Sequence, residues 1–182
     1  MVRIAAFSDL HGNLPALEAV RKAVDAARPD YVAICGDLAM NGPDPAGTVD
    51  LIRELERSGA FVTLGNTDLA VTDGLPADLD PVVTIERVSG TDASVIVCGH
   101  THIPEVREIG WRTIVNDGSA GYVFDGDPTA SWALIDIEDG RVKAEIQRVS
   151  YDVMAAANSV SARGLSGDVY RAATIRTGKL VR

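Results

Sequence analysis

Two cysteines in 182 residues, Cys35 and Cys98, leave no disulfide framework to hold a fold together. Each stands at the end of an apolar run, one residue before a glycine, where a free thiol reads as a small buried apolar group and not as a ligand or nucleophile. Basic residues are also few. There are 17 against 26 acidic ones, a formal charge of −9 that speaks against attachment to nucleic acid or to an anionic membrane. A phosphate-bearing ligand would have to be met by local positive charge such as a metal ion. No apolar run approaches the ~20 residues needed to span a bilayer. The chain enters a strand-like run, Val2–Phe7, without the basic segment, apolar stretch and cleavage site of an export signal, so a cytoplasmic location is expected.

What is present suits one buried core. Apolar residues make up 46% of the chain, and the length favours a single domain over residues 1–182. Val2–Phe7 is followed by a polar turn and by Leu14, Leu17, Val20 and Val24 at helical spacing, with Asn13 placed to cap, Pro15 in the first turn and Arg28-Pro29 to end it. The same grammar repeats. Tyr31–Cys35 reads as a strand, 36–45 as a loop, 46–57 as a helix and 61–64 as a third strand. Such β-α alternation places the early strands parallel in one sheet, with ligands beyond their carboxyl ends. After Asp68 the signals fade, with a strand suggested only at 82–88. Further strands are expected at 94–98, 113–116, 131–137 and 142–149. The later ones read as an antiparallel second sheet turning at Glu138-Asp139-Gly140, and helices are expected at 152–163 and 168–176.

Four of these strands end in one kind of chemistry: Asp9-Leu10-His11-Gly12-Asn13, Gly36-Asp37, Gly65-Asn66-Thr67-Asp68 and Gly99-His100-Thr101-His102. Carboxylate, amide oxygen and imidazole are donors that suit Mn, Fe, Zn or Mg. In an extended segment residues two apart point the same way, so Asp9 with His11, and His100 with His102, would present paired donors. Taken singly, each pair reads as a turn or cap, since Asp, Asn and Gly favour turns in any case. Together they do not, because the chain has only three histidines and all three fall in these loops.

The ordered set Asp9-x-His11, Gly36-Asp37, Gly65-Asn66-x-Asp68 and Gly99-His100-x-His102 resembles the calcineurin-like metallophosphoesterase superfamily, in particular its small bacterial and archaeal phosphodiesterase branch. Val115-Asn116-Asp117-Gly118-Ser119 resembles that family's Asn-Pro-Gly-Ser turn. The resemblance implies an α/β/β/α sandwich of two mixed sheets flanked by helices. It implies two divalent ions, manganese foremost, with iron, zinc, nickel or magnesium as alternatives. It further implies that Asp9, His11 and His102 hold one ion, that Asp37 bridges both, and that Asn66 and His100 hold the second, with Asp37, Asn66 and His100 counted as catalytic. Two cations about 3.5 to 4 Å apart clamp a phosphoryl oxygen and activate a water for in-line attack. Asp68 and Thr101 would orient neighbouring ligands, and Asn13 would cap the first helix close enough to the site to meet substrate.

Two departures from the family pattern stand out. Thr67 occupies the position where much of the superfamily carries a histidine that assists the leaving group, which implies a bias toward good leaving groups or reliance on metal and water. The family's further histidine ligand has no counterpart between His11 and His100, and the interval from Asp68 to Gly99 is short. Asp73, Asp78, Asp80 or Asp92 could substitute as an oxygen ligand there, and no spacing selects one. The expected activity is hydrolysis of a small-molecule phosphodiester. The alternative is a non-catalytic descendant that binds metal or phosphate as an interaction module. A nucleotide-binding α/β domain is disfavoured, because the chain has no Gly-x-Gly-x-x-Gly or Walker-type loop. The oligomeric state is not legible.

Overall fold

Strand β1 (Val2–Phe7) lies at the centre of a five-stranded mixed sheet in a computed structural model that describes residues 1–73 and 91–182. Its neighbours are β2 (Tyr31–Cys35), parallel to it, and β7 (Ala130–Glu138), antiparallel. The parallel β3 (Phe61–Thr63) and the antiparallel β8 (Arg141–Val149) complete the order β3-β2-β1-β7-β8. A second sheet, β4-β6-β5, is built from β4 (Val95–Cys98), β5 (Glu105–Ile109) and β6 (Arg112–Asn116). Both sheets are mixed, since β6 runs parallel to β4 and antiparallel to β5. The α/β class with two sheets flanked by helices is the one expected from the sequence. Among the described residues no helix is long and apolar enough to cross a membrane.

Helix α1 (Leu14–Ala27) starts where Asn13 Oδ1 accepts the Ala16 N–H at 3.3 Å, and it turns Ala16, Leu17, Val20 and Val24 inward. Helix α2 (Pro45–Arg57) starts in the same way, with Asp44 Oδ1 accepting the Gly47 N–H at 2.9 Å and Pro45 at the first position. Both helices pack on one face of the large sheet, around Phe7, Leu10, Ile34 and Trp132. The other face meets the small sheet through Ala6, Val115, Ala133 and Ile135, all buried. Burying a valine or isoleucine side chain contributes roughly 1.5–3 kcal/mol and an alanine methyl about 0.8, so this inter-sheet layer holds the strand ends in fixed relation.

Helices α4 (Val153–Ala162) and α5 (Asp168–Thr177) pair with each other and close over Tyr122. Asp168 is buried between them, accepting from Arg163 Nη2 at 2.7 Å and from Arg171 Nη1 at 3.3 Å. The Arg163 guanidinium beside it holds the Asp168 carboxyl below the usual carboxylate range, with the Leu165 N–H and Arg171 adding to the effect against the opposing pull of burial. A carboxyl with a lowered folded pKa stabilises above its unfolded value, about 3.9, and loses that contribution as pH falls through the folded one. Asp168→Asn should therefore lower the thermal midpoint at pH 7, with the gap to the parent closing as pH drops below about 4. An unchanged gap at acid pH would show that the effect is packing and not charge.

The sequence reading departs from the fold at four places. Segments 131–137 and 142–149, read as part of a second sheet, instead join the first as β7 and β8, with β7 paired to β1. Strand β5 was not expected: its five residues form an exposed edge, so no alternation of apolar and polar side chains marks it. Helix α3 (Asn66–Asp73) begins where the signals fade, because it has no apolar stripe. Segment 113–116, read as wholly antiparallel, pairs in parallel with β4 on one side. The strand suggested at 82–88 lies outside the described residues, as do Asp78, Asp80 and the side chain of Asp73. Asp92 is exposed.

Candidate metal centre

The loops after β1, β2, β3 and β4 meet at one rim, as the sequence suggested, but not through extended backbone. Asp9 (φ 52°), His11 (48°), Asp37 (55°), His100 (73°) and His102 (58°) are all left-handed, making five of the eight described non-glycine residues with positive φ. The expectation that residues two apart on an extended segment pair their donors is thus corrected. Each donor leaves a tight left-handed bend, a conformation that Asp, Asn and His adopt more readily than other residues but that still costs of order 1–3 kcal/mol. Backbone lacing holds the bends: Asp9, His11 and Gly12 donate N–H groups to the carbonyls of Gly36, Asp37 and Leu38 at 3.0, 2.9 and 2.9 Å.

Asp9, His11, Asp37 and His102 are buried and bring one ligand atom each within 4.8 Å of one another. His102 Nε2 is 3.2 Å from Asp9 Oδ1, and His11 Nε2 is 3.8 Å from both Asp9 Oδ1 and Asp37 Oδ2. The far nitrogens fix the tautomers. His11 Nδ1 faces the Met40 carbonyl at 3.1 Å, and His102 Nδ1 faces the Tyr122 carbonyl. A carbonyl only accepts, so each Nδ1 carries a hydrogen, and a neutral ring so held turns a bare Nε2 lone pair inward. Those two Nε2 atoms are 3.2 Å apart. Two imidazole lone pairs and two carboxylates aimed at one point, with no donor among them, fit a divalent cation. The carbonyl behind each ring is the support that metal-ligating histidines ordinarily have. The His102 ring also stacks on Phe124, with centroids 4.2 Å apart.

Asn66 and His100 come together beside this cluster, with His100 Nδ1 2.9 Å from Asn66 Oδ1, Asn66 buried and His100 exposed. Asp37 lies between the two groups. Its Oδ2 faces His11, and its Oδ1 accepts the Thr67 N–H at 3.0 Å. Asp68 accepts the N–H groups of Leu38 and Gly65, both at 2.9 Å, and so ties the Asp37 loop to the Asn66 loop. Thr101 accepts from Asn116 Nδ2 at 2.9 Å and bonds across the turn to Ile103, which fixes the bend carrying His102. Asn13 is the helix cap and does not face the cleft. It is fully buried, and its amide donates to Gly121 O at 2.9 Å, so the expectation that it could meet substrate is corrected.

Beside these residues opens a cavity of about 430 Å³ bounded by Asp37, Asn66 and His100 on one side and by Cys35, Val97 and Cys98 on the other. The two thiols are half-buried in its wall and not sealed in the core. Burial pushes Cys35 up to about 12 and Cys98 to about 11, so neither is a thiolate at neutral pH. Two residues escaped the sequence reading. Ser8 and Asp117, both fully buried, bond to each other and, through Ser8, to Asp9. Burial, with the neighbouring Asp9, pushes the Asp117 carboxyl well above its usual range despite its bond from Ser8. In the sequence Ser8 falls in the polar turn after Val2–Phe7, and Asp117 in the turn before Gly118.

Buried imidazoles and carboxylates at the carboxyl ends of strands, in a two-sheet α/β frame, form a cluster that could hold a metal ion. Residues 2–140 match the calcineurin-like phosphoesterase superfamily domain, and the chain belongs to that superfamily. It is 25% identical over 216 residues to the uncharacterized protein MJ0912 of Methanocaldococcus jannaschii, covering 82% of this chain and 88% of that protein. The fold is similar to that of a metallophosphoesterase from Sphaerobacter thermophilus, with a TM-score of 0.76 at 24% identity over 97% of this chain and 99% of that one. It is also similar to PH1004, a hypothetical protein from Pyrococcus horikoshii, with a TM-score of 0.80 at 17% identity over 98% of this chain and 99% of that one.

Proposed function

We propose that this chain is a metal-dependent phosphoesterase that hydrolyses small-molecule phosphodiesters. The observation that carries the reading is the convergence of two Nε2 lone pairs and two carboxylates on one buried point that holds no proton donor. Asp9, His11 and His102 would hold one divalent ion, Asp37 would be shared, and Asn66 with His100 would hold a second; manganese suits this mixture of nitrogen and oxygen donors. When bound, such ions supply Lewis-acid charge at the phosphoryl group and a nucleophilic water at neutral pH. The chain's own part is to fix the donors. The Met40 and Tyr122 carbonyls set the two tautomers, Asp68 locks the Asp37 and Asn66 loops together, and the cavity beside His100 admits an ester. Its wall of Cys35, Val97 and Cys98 is neutral, which matches a chain whose charge disfavours polyanions.

A second reading, a metal-binding module without turnover, is favoured by one observation. Among the described residues the second group offers only Asn66, His100 and the shared Asp37. Thr67, whose hydroxyl is buried without a hydrogen-bond partner among the described residues, would occupy the place of the leaving-group histidine that the resemblance implies. The deciding measurement is the initial rate on bis(p-nitrophenyl) phosphate after Mn²⁺ loading, with metal per chain counted on the same sample. Turnover removed by chelator and restored by Mn²⁺ is expected. A fully loaded protein without turnover supports the module.

A further inference from the structure

Ser8 Oγ sits between two carboxyl groups, 2.6 Å from Asp9 Oδ2 and 2.5 Å from Asp117 Oδ1. All three residues are buried. Two hydrogen bonds in a row need two hydrogens, and the serine hydroxyl has one. The other must sit on Asp117 or on Asp9. Asp9 is a poor holder, because its Oδ2 already accepts the His100 N–H at 2.8 Å and its Oδ1 is the oxygen offered to the cation. Asp117 is a good one. Its Oδ2 is buried with no hydrogen-bond partner among the described residues, so ionisation would leave a charged oxygen bare in the interior. As a neutral acid it leaves only a carbonyl oxygen there. Its backbone is fixed independently: the Asp117 N–H donates to Cys98 O at 3.1 Å, and Ser131 Oγ donates to Asp117 O at 2.6 Å.

We propose that Asp117 is a positioning residue that keeps its proton, donating from Oδ1 to Ser8 Oγ while Ser8 donates to Asp9 Oδ2, so that only Oδ1 of Asp9 is offered to a cation. The direction of the relay is what matters. An ionised Asp117 would compete for the single Ser8 hydrogen, and Asp9 Oδ2 would be left with the His100 N–H alone to hold it. The inference rests on Asp9 being a cation ligand, and the test separates the two.

The test uses the full chain and two readouts: the dissociation constant for Mn²⁺ by calorimetry, and the infrared C=O stretch of a neutral carboxylic acid at pH 7. Asp117→Asn is expected to bind Mn²⁺ within about threefold of the parent, because the amide donates to Ser8 as the neutral acid does, and to lack the acid band that the parent shows. Asp117→Ala and Ser8→Ala are expected to weaken Mn²⁺ binding by about 10- to 100-fold, the range found for residues that support a ligand. The asparagine introduced there precedes Gly118, so its intact mass is checked for deamidation. A parent without the acid band, or an asparagine variant as weak as the alanine one, overturns the proposal. If Asp117→Ala does not fold, the parent's band and the asparagine affinity decide between them. If Asp9→Asn leaves Mn²⁺ affinity unchanged, the metal-centre reading fails first and this inference falls with it.

Discussion

Asp37→Asn is expected to cut the Mn²⁺-dependent rate on an aryl phosphodiester by on the order of a thousandfold, the equivalent of several kcal/mol of charge stabilisation at the reacting phosphate. Volume is unchanged, so the loss would come from two sources. The neutral amide withdraws a negative charge from the shared position between the two donor groups. Its geometry then withdraws the oxygen as well. Asp37 Oδ1 accepts the Thr67 N–H at 3.0 Å, and a donor placed there would leave that backbone group facing another N–H. The amide oxygen must therefore take the Thr67 side, which turns the NH₂ toward His11, where the carboxylate oxygen stood at 3.8 Å. Circular dichroism should be unaltered, since the packing does not change. Retention of more than a tenth of the parent rate would remove Asp37 from its shared role.

Gly99→Ala should be nearly as damaging for a different reason. A Cβ at this position would overlap Asp9 Oδ2 and Ser8 Oγ. Neither can retreat: both side chains are buried and bonded to each other, and Asp9 Oδ2 also holds the His100 N–H. Forcing a methyl group into a packed interior costs typically 1–3 kcal/mol. For a chain of this length each kcal/mol is worth about 2–4 °C, so the metal-free protein should melt several degrees lower. The larger effect is on the ligand. Displacing Asp9 opens the four-donor cluster, and Mn²⁺ affinity should fall by at least about tenfold. Unaltered affinity in a folded variant would mean that Asp9 does not contribute to the site.

The placement of the donors was legible because the apolar runs that form β1, β2, β3 and β4 stop just before them, and parallel strands deliver their carboxyl ends to one side. Asn13, a residue type that accepts backbone N–H bonds, announced the first helix, and Asp44 and Asp152 cap two others in the same way. The bends themselves were not legible. Asp9-Leu10-His11 reads equally well as the end of an extended strand, and only the bonds from its backbone to Gly36, Asp37 and Leu38 force positive φ. Strand β5 stayed hidden because an exposed edge needs no apolar alternation. Ser8 and Asp117 stayed hidden because their significance lies in a contact spanning 109 positions, which no local pattern encodes. The cysteines misled in the opposite direction: an apolar flank suggested core, whereas the strand ends they occupy form the wall of the cleft.

The four clustered donors do not belong to one layer. Asp9, His11 and Asp37 follow β1 and β2 of the five-stranded sheet, whereas His102 follows β4 of the three-stranded one. A cation gathered there is a rivet through the sandwich, and its binding and the cohesion of the two sheets become a single equilibrium. Each tenfold rise in free ion above the dissociation constant adds about 1.4 kcal/mol to the resistance of the layers to parting. By reciprocity, any change that loosens the inter-sheet contact of Ala6, Val115, Ala133 and Ile135 is registered at the centre as weaker affinity, although none of these side chains carries a donor atom.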